Sequence, residues 1–261
     1  MNGAALASIA VLAVLALVAG FYALNYRARL KHRALFGSWP IRTIPVRELD
    51  PAFAHGPFGP SHETEVRFIG RGDGLSGGTS DAEAWILAVL AKNARAMFEF
   101  GTFAGKTTYL WARNAPEGAR IVTLTLAPHQ VEAYTSGPGD SARDVRHALK
   151  ESTFERFFYT DTDVESRITQ LYGDSKAFDE SPYLEQFDLI FVDGSHAYTY
   201  VLSDSEKALR MCRPGGLILW HDYAGPRHSR GVYRALNELS RRIPLVHVRG
   251  TMFVAHRKPR R

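Results

Sequence analysis

The chain has 261 residues, enough for one α/β domain with additions and too few for two domains of ordinary size. With 45% hydrophobic and 23% charged residues it has a globular composition, and its single cysteine, Cys212, excludes an internal disulfide framework and a cysteine-built zinc site. The formal charge of +5 belongs to two clusters, Arg27, Arg29, Lys31 and Arg33, and Arg257, Lys258, Arg260 and Arg261; without these eight, 24 basic residues face 27 acidic ones, so the basic stripe of a nucleic-acid-binding domain is not expected.

Residues 4–24 carry no charge and are almost wholly apolar. As a helix rising about 1.5 Å per residue, such a run spans roughly the hydrocarbon thickness of a bilayer. Tyr22 and Tyr26 fall at headgroup depth, and the first charge is Arg27. A cleaved signal would place its positive charge before the apolar run, whereas here the charge follows it. The expectation is a retained single-pass anchor over residues 1–26, bound to membrane lipid, with the following domain on the cytoplasmic side.

Residues 27–79 begin with the basic cluster and continue rich in Pro and Gly, which reads as a linker or irregular strap. Ser80 followed by Glu83 fits a capping box ahead of a helix over 82–93. Strands and helices then alternate. Strands are expected at 96–101, 120–126, 167–171, 187–193 and 215–221, and helices at 106–114, 141–151, 198–211 and 230–242. A hairpin closes the chain at 245–248 and 252–256. This order predicts a mostly parallel sheet covered on both faces over residues 80–256, followed by a basic tail at 257–261. The long stretch holding Phe154, Phe157, Phe158 and Tyr159 reads either as a lid or as a packed surface helix. His129, His147 and His228 read as surface residues.

The turn after the first of these strands, residues 99–105, joins a strand to a helix. Its glycines permit a tight turn and close approach of a ligand. Between Gly101 and Gly105-Lys106-Thr107 lie three residues where a Walker A loop needs four, so a P-loop nucleotide hydrolase is disfavoured. Phe103 breaks the dinucleotide-binding pattern G-x-G-x-x-G. What remains is an acid, Glu99, two residues before one glycine and six before another.

That pattern resembles motif I of class I S-adenosylmethionine-dependent methyltransferases. Further motifs follow in order: Tyr172-Gly173-Asp174-Ser175, Val192-Asp193-Gly194-Ser195-His196-Ala197-Tyr198, Arg213-Pro214-Gly215-Gly216 and His221-Asp222-Tyr223. Together they most resemble the branch of cephalosporin-hydroxylase-like and macrolide-sugar O-methyltransferases. The resemblance implies a Rossmann-like methyltransferase fold with a seven-stranded sheet.

It also implies site residues. Cofactor contacts would come from Glu99, Gly101, Thr102, Phe103, Gly105, Thr125, Asp174, Ser175 and Asp193. Glu99 would face the methionine ammonium, and Asp174 and Ser175 the adenine. His196 would be the general base, with Asp193 beside it, for an alcohol acceptor. Asp193, His221 and Asp222 would hold a divalent metal. A histidine at 221, where the metal-binding branch carries an acid, suits Mn²⁺, Fe²⁺ or Zn²⁺ better than Mg²⁺. Thr125 stands where an acid usually grips the ribose, which implies weaker cofactor binding. The expected function is methylation of a hydroxylated small-molecule, glycan or lipid-linked acceptor. The alternative is an inactive methyltransferase fold serving as a scaffold at the membrane.

Overall fold

The computed structural model describes residues 3–30, 39–69 and 79–260. In chain order these residues form α1 (Gly3–Leu30), β1 (Arg42–Ile44), a ribbon of β2 (His55–Gly56) and β3 (Gly59–Pro60), and α2 (Asp81–Lys92). The alternating part follows as β4 (Ala96–Phe100), α3 (Lys106–Asn114), β5 (Arg120–Thr125), α4 (Ala142–Glu151) and β6 (Ile168–Tyr172). It continues with β7 (Phe187–Val192), α5 (Tyr198–Met211), β8 (Cys212–Trp220), α6 (Arg230–Leu239), β9 (Val246–Val248) and β10 (Val254–Arg257).

The main sheet runs β1-β9-β10-β8-β7-β4-β5-β6. Only β10 is antiparallel, to both β8 and β9. Alternation along the parallel strands sends side chains to two layers. Met97, Ile121, Leu189, Phe191 and Leu219 pack with α2 and α3 on one face. Phe98, Phe100, Val122, Ile190 and Trp220 pack with α5 and α6 on the other. From β4 the sheet grows through β5 and β6 in one direction and through β7 and β8 in the other. This reversal is the switch point at which an open α/β sheet leaves a crevice.

Three differences from the sequence reading have physical causes. The sheet has eight strands rather than seven, because β1, inside the expected linker, pairs in parallel with β9. Around it Ile44, Leu49, Ala52 and Phe53 are buried in the core, so residues 39–69 pack on the domain. Strand β8 begins at Cys212, the C-cap of α5, rather than at 215, and Arg257 lies within β10 rather than in a tail. Finally, residues 154–159 form no helix: Phe157 and Tyr159 are buried in the core, and Phe154 packs edge-on against Phe103.

The expected capping box is present. Ser80 Oγ accepts from Glu83 N at 3.3 Å, and Glu83 Oε2 accepts from Ser80 N at 2.8 Å. Helix α1 stands apart from this packing. Its residues 5–27 have a mean hydropathy of 2.4, none of that span is buried, and it is long enough to cross a bilayer.

Candidate active site

The carboxyl ends of β4, β5, β6, β7 and β8 meet at one edge of the sheet, and backbone bonds continue the ladder beyond them. Gly101 N donates to Leu124 O, Asp193 N to Phe100 O, Gly173 N to Thr125 O and His221 N to Val192 O. Gly101 has φ +96°, and a Cβ there would lie 2.2 Å from the Asp193 carbonyl oxygen. Glycine is therefore what lets the β4 and β7 ends close on each other. Gly105, at the start of α3, serves packing: a Cβ there would press on Tyr159 and Phe157. It lines neither cavity described below. Phe103 and Asp222 also hold positive φ, at 46° and 60°, a cost that non-glycine residues bear mainly at functional sites.

Two cavities adjoin at this edge. The first is lined by Thr125, Leu126, Tyr134, Asp174, Ser175, Ser195, Tyr200 and Asp204. The second is lined by Glu99, Thr102, Phe154, His147, His196, His221, Asp222 and His228. Gly101, Phe103, Glu151 and Asp193 line both and mark their junction. The sites expected at Asp174, Ser175 and Thr125 thus share the first cavity. Those at Glu99, Thr102, His196, His221 and Asp222 share the second.

Glu99 is 1% exposed. Thr123, its cross-strand partner, donates to Glu99 Oε2 at 2.8 Å, and Thr108 donates to the same oxygen. Burial pushes its carboxyl up to about 8, against the opposing pull of these hydroxyls. It is thus a neutral acid at pH 7, surrounded by neutral donors. Thr102, expected as a contact, is itself buried and shares a hydroxyl bond with Thr123 at 2.7 Å.

The other wall is charged. His196 Nε2 lies 2.6 Å from Asp222 Oδ2. His221 Nδ1 lies 3.1 Å from Asp193 Oδ1 and 3.4 Å from Asp222 Oδ2. Burial opposes protonation of His196, but the Asp222 hydrogen bond and charge outweigh it and lift His196 to about 9. His221 is likewise held well above its ordinary value by Asp193 and Asp222 despite its burial. Asp222 thus favours the protonated form of His196, the imidazole expected as the general base.

Sequence reasoning missed several residues of the site, among them Glu83, Asp204 and His147. Glu83, read only as a cap, also accepts from Met252 N at 2.6 Å and faces His221 Nε2 at 3.6 Å. Burial would raise its carboxyl, yet His221 and the backbone donors bring it down to about 2. Asp204 on α5 lines the first cavity, and its buried Oδ1 has no hydrogen-bond partner among the described residues. Burial pushes Asp204 up to about 7, against the Ser175 hydroxyl bond. His147, read as a surface residue, is indeed exposed, but it lines the second cavity with its ring 4.6 Å from that of His196. Only its i,i+4 spacing to Glu151 hinted at this from sequence.

A family model described as a methyltransferase domain matches residues 98–223. No curated protein matches the chain. Among solved structures, cofactor-bound Rv0187 from MTB is 21% identical, with 76% of this chain and 85% of that one covered and a TM-score of 0.48. The O-methyltransferase TomG from Streptomyces achromogenes, in complex with S-adenosylmethionine, is 22% identical over 69% of this chain and 82% of its own, with a TM-score of 0.46. The Podospora anserina methyltransferase PaMTH1, bound to S-adenosylhomocysteine, is 18% identical over 70% and 80%, with a TM-score of 0.49.

Proposed function

We propose, from the match of residues 98–223 to a methyltransferase-domain family model, that the chain uses S-adenosylmethionine to methylate a hydroxyl of a small or membrane-associated acceptor. The observation that carries this reading is the pair of cavities meeting at Gly101, Phe103, Glu151 and Asp193. On this reading the nucleoside lies in the first cavity, beside the stacked rings of Tyr134 and Tyr200 and the polar groups of Asp174, Ser175 and Thr125. The methionine end then passes Gly101 toward Glu99, and the methyl group faces the second cavity.

Each wall has its task. Glu99 receives the ammonium of the cofactor and gives up its proton, converting neutral hydrogen bonding into a charge-assisted contact. His196, held by Asp222, accepts the acceptor's proton once its imidazole is neutral. Phe103 and Phe154 shield the junction from water. Alignment of donor and acceptor is the largest contribution such a site makes, about 7–11 kcal/mol for well-placed reactants.

The residues at the β7 and β8 ends also fit a divalent metal. Donor atoms of Asp193, His221 and Asp222 all lie within 4.8 Å of one another, and Glu83 stands behind His221 as an outer carboxylate. Two carboxylates and an imidazole favour Mn²⁺, Fe²⁺ or Zn²⁺ over Mg²⁺. A bound metal supplies Lewis acidity toward an acceptor hydroxyl.

Helix α1 supports a membrane anchor that keeps the domain beside a lipid-linked or glycan acceptor, on the cytoplasmic side where Arg27, Arg29, Lys31 and Arg33 would lie. Transfer of a labelled methyl group to a membrane extract tests the whole reading. Binding of S-adenosylhomocysteine without transfer to any hydroxylated extract would favour the scaffold alternative. Release of the full chain from membranes by alkaline carbonate would remove the anchor.

A further inference from the structure

Beside the carboxylate–histidine wall lies a second group of donors, two of which, His147 and Glu151, the proposed chemistry does not use. His147 and Glu151 are one turn apart on α4, which puts both on one helical face. His196 reaches them from the loop between β7 and α5. One donor atom from each of the three lies within 4.8 Å of the others. His147 Nε2 is 3.2 Å from Glu151 Oε1. The His196 ring is fixed from behind by Asp222. The set thus combines one helical face with a loop histidine held in place by Asp222.

We infer that His147, Glu151 and His196 form a second divalent metal site, of the zinc class, at the junction of the two cavities. Two imidazoles and one carboxylate are a donor set for Zn²⁺, Fe²⁺ or Mn²⁺ rather than for Mg²⁺ or Ca²⁺. Three protein ligands leave coordination positions free toward the cleft, the pattern of a reactive rather than a structural site. The carboxylate of Asp222 against His196 is the outer partner that ligating histidines usually have. Glu151 lines both cavities, so an ion on it stands where donor and acceptor meet. The ion's role there, orienting an acceptor oxygen, rests on the methyltransferase reading; the binding itself does not.

Cobalt(II), a spectroscopic substitute for zinc, tests the site in the full-length protein. Wild type, His147→Ala and Glu151→Gln are titrated with Co²⁺ while the visible absorption is followed, and equivalents bound are counted by equilibrium dialysis. Wild type is expected to take up Co²⁺ with the intensity of nitrogen-ligated, low-coordinate cobalt. Each variant is expected to lose one equivalent or at least tenfold in affinity. His147 is half-exposed, so its replacement leaves the fold intact, which an unchanged thermal melt verifies. Uptake by both variants with wild-type affinity and stoichiometry overturns the proposal, as does a wild type that takes up no Co²⁺. S-adenosylhomocysteine titrations on the same samples judge the methyltransferase reading separately.

Discussion

Two glutamates beside the same cleft, Glu83 and Glu99, are each 1% exposed, yet their carboxyls are shifted in opposite directions. Glu99 is surrounded by threonine hydroxyls, and burial prevails, leaving its carboxyl at about 8. Glu83 faces His221 and backbone N–H groups, and these prevail over burial to leave it at about 2. Burial alone does not set the charge of a buried acid; the partner does. The Glu99 carboxyl is therefore poised to ionise when a cation, such as an incoming ammonium, is brought beside it. The Glu83 side already carries its own cation in His221, and the Asp222–His196 pair repeats that arrangement.

The comparison breaks most visibly at Glu83. Glu83→Gln can keep the Ser80 N–H bond through its one carbonyl oxygen, but it turns an amide donor toward Met252 N–H and takes the charge away from His221. Removing one partner of a buried pair costs about 3–5 kcal/mol, so thermal or urea unfolding at pH 7 should show a large loss. Because its folded value lies below the ordinary 4.5, the Glu83 contribution is present above that pH and disappears as pH falls toward about 2. The acid limb of the stability profile should flatten in the variant.

Glu99→Gln should act the other way. The hydroxyl bonds survive, so stability near neutrality should change little. The folded value of Glu99 lies above 4.5, so its contribution is full below that pH and is lost as pH rises through about 8. The variant should therefore resist alkaline unfolding better than wild type. Its S-adenosylhomocysteine affinity should fall by about 1.5–3 kcal/mol, the worth of a hydrogen bond to a charged group. Calorimetric titration checks both the affinity and the proton count.

The smallest expected effect is a gain. Thr125→Asp places a carboxylate at the end of β5, inside the first cavity. A charged acceptor in place of a hydroxyl should tighten S-adenosylhomocysteine binding by about 1 kcal/mol. Unchanged or weaker binding would mean that the ribose does not reach this strand end.

The alternating strands and helices were legible because each carries its own periodicity and punctuation. Phe187–Val192, for instance, is apolar nearly throughout, as a doubly covered strand must be. β1 was not legible, because three residues in a Pro-rich stretch have no pattern until β9 pairs with them. The glycine at 101 was rightly singled out, whereas the reason for Gly105 is two aromatic side chains more than fifty residues later. The strand-end acids came together in space as their motifs implied. Long-range partners stayed hidden: Glu83 meets Met252 across 169 positions, and His147 meets His196 from a different element. The charge states were hidden for the same reason, since they are set by partners that only the fold brings near.

Calorimetric titration of the full-length protein with S-adenosylhomocysteine at pH 7, in two buffers of different ionisation enthalpy, tests the central claim most directly. The account predicts binding that releases close to one proton in wild type, as Glu99 ionises against the ammonium, and release of markedly less in Glu99→Gln. Absence of binding in wild type, or equal affinity and proton release in the two proteins, would contradict it.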